Sequence, residues 1–176
     1  MPVSFGAMQR PRVGVSSCLL GQNVRYDGGH RLDPFAAGEL GRHVDLVPVC
    51  PEVEIGLGVP REKIRLERSG KGIRLVGIES RADHTAEMKR FARRRIDELE
   101  SLGLSGYVFK KNSPSCGPSG VEVHGSTRTD RGLFAAALLD RMPDLPVVDE
   151  SKLATRSGQA KFLERVLAYH RSRAKR

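Results

Sequence analysis

The chain of 176 residues carries 30 Lys and Arg against 21 Asp and Glu, a net charge of +9, and is 39% hydrophobic with no Trp. That length and apolar content support one α/β core built from Val, Leu, Ile and Ala. No apolar run approaches the roughly 18 residues of a membrane helix, and the N-terminal stretch lacks the apolar centre of a signal peptide, so a cytoplasmic location is expected.

Residues 1–11 read as a flexible leader. Arg12 to Ser17 is a short β-branched run that ends at Cys18 and reads as a first strand. Leu19 to His30 is Gly-rich and reads as a loop. Pro34 to Arg42 suits a short helix with Asp33 as its N-cap. Asp45 to Val49 is a second strand, ending at Cys50, and Pro48 within it suggests an irregular or terminal position. A loop is expected after Cys50.

Lys63 to Glu67 and Gly72 to Ile78 flank Arg68-Ser69-Gly70-Lys71, the pattern of a β-hairpin flap. Asp83 to Leu102 is the clearest helix, with Ala86, Phe91, Ile96, Leu99 and Leu102 on one face and Gly103 as its stop. Gly106 to Lys110 is a third strand, followed by a loop to Asp130. Gly132 to Arg141 is an Ala/Leu-rich helix, Pro146 to Asp149 a short fourth strand, and Gln159 to Arg173 the terminal helix. Strands alternating with helices predict a mostly parallel sheet with helices on both faces, Rossmann-like. The expected division is a leader over 1–11, a single α/β domain over 12–173 and a basic tail over 174–176.

Three cysteines, an odd number in a chain without an export signal, fit no disulfide framework. There is no CxxC, and the spacings match no local metal motif. Position is more informative. Cys18, Cys50 and Cys116 each lie just past the C-terminal end of a predicted strand, and in an open parallel sheet those ends form the edge where ligands bind. Core filling is the competing reading, because Cys is a small hydrophobe. If the thiolates hold metal, zinc would ask for a fourth ligand among His30, His43, His84, His124 and His170, none at ligand-like spacing from a cysteine. A four-iron cluster with three protein thiolates and one open iron also fits. A single nucleophilic cysteine is the remaining enzymatic option. The basic charge allows a polynucleotide partner, or a solvated surface: much of it sits on Arg90, Arg93, Arg94 and Arg95 and in the tail.

Three blocks carry a resemblance. Ser17-Cys18-Leu19-Leu20-Gly21 with Val24-Arg25-Tyr26-Asp27-Gly28, then Cys50-Pro51-Glu52 with Gly56-Leu57 and Pro60-Arg61, then Lys111-Asn112-Ser113-Pro114-Ser115-Cys116-Gly117, resemble the signature blocks of the thiouracil desulfurase (desulfidase) family, in the same order. The resemblance covers roughly residues 12 to 170. It implies a cytoplasmic bacterial enzyme that holds a [4Fe-4S] cluster through Cys18, Cys50 and Cys116 and converts 2-thiouracil to uracil and hydrogen sulfide. It implies a catalytic carboxylate at Glu52 and a catalytic serine at Ser113, with Ser115 a weaker candidate for substrate contact. Tyr26 and Asp27 are further substrate-contact candidates, although Asp27-Gly28-Gly29 is equally a turn. Ile55 departs from the family pattern, standing where paired glycines are expected before Leu57, and would narrow the approach to the cluster. The alternatives carried forward are an iron–sulfur or zinc sensing module without desulfurase activity, and the same chemistry on thiolated nucleosides in RNA.

Overall fold

The computed structural model describes residues 9–70 and 72–174. Four parallel strands form the main sheet: β1 (Arg12–Ser16), β2 (Asp45–Val49), β5 (Leu104–Phe109) and β7 (Val147–Asp149), in the order β2-β1-β5-β7. Pro48 lies in β2, an edge strand, where its missing N–H breaks no ladder. A second, mixed sheet joins the antiparallel pair β3 (Ile64–Ser69) and β4 (Gly72–Gly77) to the two-residue β6 (Val123–His124), which runs parallel to β3. The hairpin flap is thus present. Sequence reading left β6 inside a loop, because two residues carry no periodicity to read.

Between β1 and β2 the chain makes a five-residue π turn, Phe35–Glu39, and then α1 (Leu40–His43). Asp33 caps this segment: its Oδ1 accepts the Ala36 N–H at 2.8 Å. Crossing from β2 to β5 the chain passes through α2 (Pro51–Glu54), the flap, and α3 (Thr85–Ser101). Then α4 (Leu133–Arg141) leads to β7, and α5 (Arg156–Ala174) closes the described chain.

The helices cover both faces of the sheet. Met88, Phe91, Ala92, Ile96 and Leu99 of α3 and Phe134, Ala135 and Leu138 of α4 pack with Leu104, Tyr107 and Phe109 of β5. On the opposite face Leu40 of α1 and Phe162 and Val166 of α5 pack with Val13, Val15 and Val108. The period-2 alternation along β1 and β5 sorts their side chains between these two cores. The expected stripe on α3 is shifted. Ala86 is exposed and Leu102 is 38% exposed, while Met88 and Ala92 take the buried positions. A 3.6-residue period through Phe91, Ile96 and Leu99 selects 88 and 92 and excludes 86, while Leu102 is exposed because it is the C-cap residue, beyond the last turn of α3. Gly103, at φ 72°, ends the helix as expected.

Of the leader expected over residues 1–11, residues 1–8 lie outside the described residues. Arg10 is tied to the domain through Nη2, which donates to Gly41 O at 2.8 Å and Val44 O at 3.0 Å. Of the basic tail, Ala174 closes α5, and residues 175 and 176 lie outside the described residues. Among the described residues no helix is long and apolar enough to cross a membrane.

Candidate functional site

The main sheet decides where the site can form. The chain steps from β1 to β2 on one side and later to β5 on the other, so β1 and β5 are neighbours whose connections leave in opposite directions. A crevice opens at such a switch point, beyond the C-terminal ends of the strands. Cys18 lies in the 3₁₀ turn Ser17–Leu20 directly after β1, and Cys50 directly after β2 as the N-cap residue of α2. Cys116 follows β5 in the Lys111–Gly117 loop. All three line one cavity of about 310 Å³.

Local chemistry shapes each wall. Behind Cys50, Pro51 stands at the first position of α2, where no helical N–H is needed. Glu54 folds back so that its Oε2 accepts the Cys50 N–H at 3.0 Å, and Arg95 of α3 reaches Glu54 at 3.5 Å. Four residues make no stable helix alone; these bonds hold the turn that carries Glu52.

The Cys116 wall is a tight Ser-Pro-Ser-Cys turn. Ser113 Oγ accepts the N–H of Cys116 at 3.0 Å and of Ser115 at 3.3 Å, and Gly117 N–H closes back on Ser113 O at 2.8 Å. Gly117 is required there, since a Cβ would fall 2.8 Å from Ser113 O.

These walls bring Glu52, Ser113 and Ser115 together. Ser115 Oγ donates to Glu52 Oε1 at 2.9 Å and lies 3.1 Å from Ser113 Oγ. Because Ser115 gives its proton to Glu52 and Ser113 Oγ already accepts two amides, Ser113 is the donor toward Ser115 or toward the cavity. Ser113, Ser115 and Glu52 thus form one hydrogen-bonded run.

The cavity is strongly cationic. Arg25, Arg31, Arg61, Lys110 and Lys111 line it, with Glu52 the only acid among its lining residues. Glu150, just outside, pairs with Lys110 Nζ and accepts the Lys111 N–H at 2.8 Å. Burial pushes the Cys18 thiol up to about 11, with Lys110 pulling it back in part. Burial likewise raises Cys50 and Cys116. Any metal held by these thiols would have to displace their protons, and the surrounding cations would compensate the negative charge of the thiolates formed.

Tyr26 also lines the cavity, its ring flanked by the Arg25 guanidinium at 5.3 Å and Lys63 Nζ at 5.1 Å. Asp27 does not. Its Oδ1 accepts the Gly29 N–H at 3.0 Å and faces Arg25 at 3.5 Å, and the Gly29 bond holds its carboxyl below the usual range. The Asp-Gly-Gly segment is thus the local turn that competed with a binding role. Ile55 also stays out of the cavity. It packs against the core shared by β5, α3 and α4, so it does not narrow the approach.

Arg31 and Lys110 were missed as site residues, and Arg25, Arg61 and Lys111 carried only a motif resemblance. Lys110 and Lys111 had a usable signal, since they directly follow a strand whose C-terminal end faces the ligand edge. Arg61 had none, because its partner Glu52 is reached only through the folded Gly58 loop.

The donor set suits an iron–sulfur cluster. Three soft thiols line the cavity and no histidine does. Among the described residues no three His, Cys, Asp or Glu side chains gather closely enough for a single ion. A closed zinc site asks for a fourth protein ligand, whereas an iron–sulfur cluster takes sulfur donors, which is what the three thiols offer.

A family model for 2-thiouracil desulfurase matches residues 13–150. The chain is 29% identical over 150 residues to "Uncharacterized protein YbbK" of Bacillus subtilis (strain 168), covering 79% of this chain and 95% of that protein. It also resembles a solved structure titled "[4Fe-4S]-dependent thiouracil desulfidase TudS", with a TM-score of 0.64 and 33% identity, over 82% of this chain and 93% of that one.

Proposed function

The chain belongs to the 2-thiouracil desulfurase family, and from that premise we propose that it removes sulfur from thiolated pyrimidines by hydrolysis, converting 2-thiouracil to uracil and hydrogen sulfide. The observation that carries this reading is the meeting of three thiols with a Glu52–Ser115–Ser113 hydrogen-bonded run in one cavity. Cys18, Cys50 and Cys116 would hold a [4Fe-4S] cluster. When bound, it would supply Lewis-acid chemistry suited to polarising a C–S bond.

The chain's own residues do the rest. Glu52 Oε1 takes a proton from the water that attacks the thiocarbonyl carbon. The Ser113 hydroxyl, held at its oxygen by two amides, orients the ring or passes a proton. Tyr26 offers a flat wall to the pyrimidine. The carbon gains the water's oxygen and loses sulfur: one water proton passes through Glu52 to the departing sulfur, the other leaves the new hydroxyl as the C=O bond forms and completes hydrogen sulfide, and no electron changes hands. A cytoplasmic location is part of the same reading.

The experiment is anaerobic loading with iron and sulfide, iron and acid-labile sulfide analysis, and sulfide release from 2-thiouracil. Glu52→Ala is expected to keep its iron and lose activity by about 10²–10⁴-fold, the usual contribution of a positioned base. Undiminished turnover in that variant would remove Glu52 from the role. A loaded wild-type protein that releases no sulfide would overturn the reaction and favour a sensing module.

A further inference from the structure

Arg61 is the residue that the reaction above does not use, yet it forms the most enclosed ion pair among the described residues. Its side chain is 6% exposed and that of Glu52 13%. Its Nε and Nη2 both donate to Glu52 Oε2, at 2.9 and 2.7 Å. Its Nη1 donates to Gly58 O at 2.8 Å, and its backbone N–H donates to Tyr26 O at 2.9 Å.

The form of this pair is informative. An arginine that serves only to pair with a carboxylate can meet it fork to fork, one N–H to each oxygen. Here both donors converge on Oε2, and Oε1 is left to the Ser115 hydroxyl and the cavity. A carboxylate has about four acceptor sites. Arg61 takes two and Ser115 one, so the remaining site on Oε1 has a set direction. The holders come from separate stretches of chain, 63 residues apart in the case of Ser115 and Glu52. Burying an ion pair brings little net stability, so its geometry is the more telling feature.

We propose that Arg61 and Ser115 are positioning residues that act through Glu52. Together they orient its carboxylate so that Oε1 alone serves the reaction, and Arg61 ties that carboxylate to the Tyr26 wall. This assignment rests on the desulfurase reading of the same site.

The test uses cluster-loaded Arg61→Ala, Arg61→Lys and Ser115→Ala, with 2-thiouracil as substrate. Arg61→Ala is expected to load iron like the wild type, keep KM within about threefold and lose kcat by about 100-fold, the cost of a misplaced group. Free guanidinium should restore part of the lost kcat in Arg61→Ala and leave Glu52→Gln unchanged. Arg61→Lys keeps the charge without the fork and should fold, load iron and still lose most of the kcat; it carries the test if Arg61→Ala does not fold.

A second readout needs neither cluster nor turnover. In the cluster-free protein, urea midpoints are measured for Arg61→Ala and Ser115→Ala, each alone and combined with Glu52→Gln. Shifts smaller in the double variants than the sum of the singles support the clamp, as coupled neighbours require; additive shifts overturn it. A kcat within twofold of wild type in iron-loaded Arg61→Lys and Ser115→Ala also overturns it. If the wild type releases no sulfide, the desulfurase reading falls, and the urea cycle still decides the clamp.

Discussion

Single residues at this site are constrained by space as much as by chemistry. Gly132, immediately before α4, is an example. A Cβ there would lie 2.6 Å from Ser115 O and 2.8 Å from Cys116 N, both backbone atoms that cannot yield without moving the cysteine loop. Gly132 N–H also bonds Gly117 O at 2.8 Å, fastening the same loop. Gly132→Ala is therefore expected to cost about 1–3 kcal/mol, the range for overpacking. It should also lower iron uptake, because Cys116 is displaced. Urea midpoints and iron per chain after anaerobic loading measure both; unchanged iron content would separate this loop from the cluster site.

Among the elements, the flap adds a charge cluster on its outer side to the buried Leu66 and Leu75 that seat it on the core. Glu67 of β3 accepts Arg81 Nη2 at 2.7 Å and Arg65 Nη2 at 3.0 Å, and Arg74 lies 3.7 Å away. The Arg81 bonds, seconded by Arg65, lower its carboxyl from the ordinary 4.5 to about 2. A carboxylate with a depressed folded value stabilises the fold above its unfolded value and loses that contribution as pH falls through the folded one. The flap contribution is thus complete above about pH 4.5 and lost on the way to about pH 2. Urea midpoints between those limits should fall in the wild type and change less in Glu67→Gln. The α2 turn is the opposite case. Its carboxylate Glu54 is raised by burial, with the Cys50 N–H opposing, and it was unreadable in the sequence because four residues hold no helical period.

At the scale of the whole molecule the net charge of +9 asks what the substrate is. Of the five cations lining the cavity, Arg61 pairs with Glu52, Lys110 with Glu150 and Arg25 with Asp27, whereas Arg90, Arg93 and Arg94 on α3 have no acid within ion-pair distance among the described residues. A free thiolated base is neutral, so kcat/KM for 2-thiouracil is expected to change by less than about twofold as salt rises, since screening acts on charged partners. Thiolated RNA would instead show a steep linear fall of log affinity with log salt, set by the number of phosphates neutralised. Comparing the two substrates across salt concentrations separates a free-base enzyme from one that docks RNA.

The sequence alone was sufficient for whatever depends on neighbours along the chain. β-branched runs ending at Cys18 and Cys50, the Gly103 stop, the Asp33 cap and the Arg68-Ser69-Gly70-Lys71 hairpin signal are local, so the α/β class, the flap and the placement of the cysteines at strand ends were legible. Only the tertiary structure decided the strand order β2-β1-β5-β7 that opens a crevice between β1 and β5, and the pairing of Glu52 with Arg61 on one side and Ser115 on the other. It also turned Asp27 and Ile55 away from the cavity. Those outcomes depend on which distant segments share a wall, and hydrogen-bond geometry across a cavity leaves no period, cap or spacing in the chain to read.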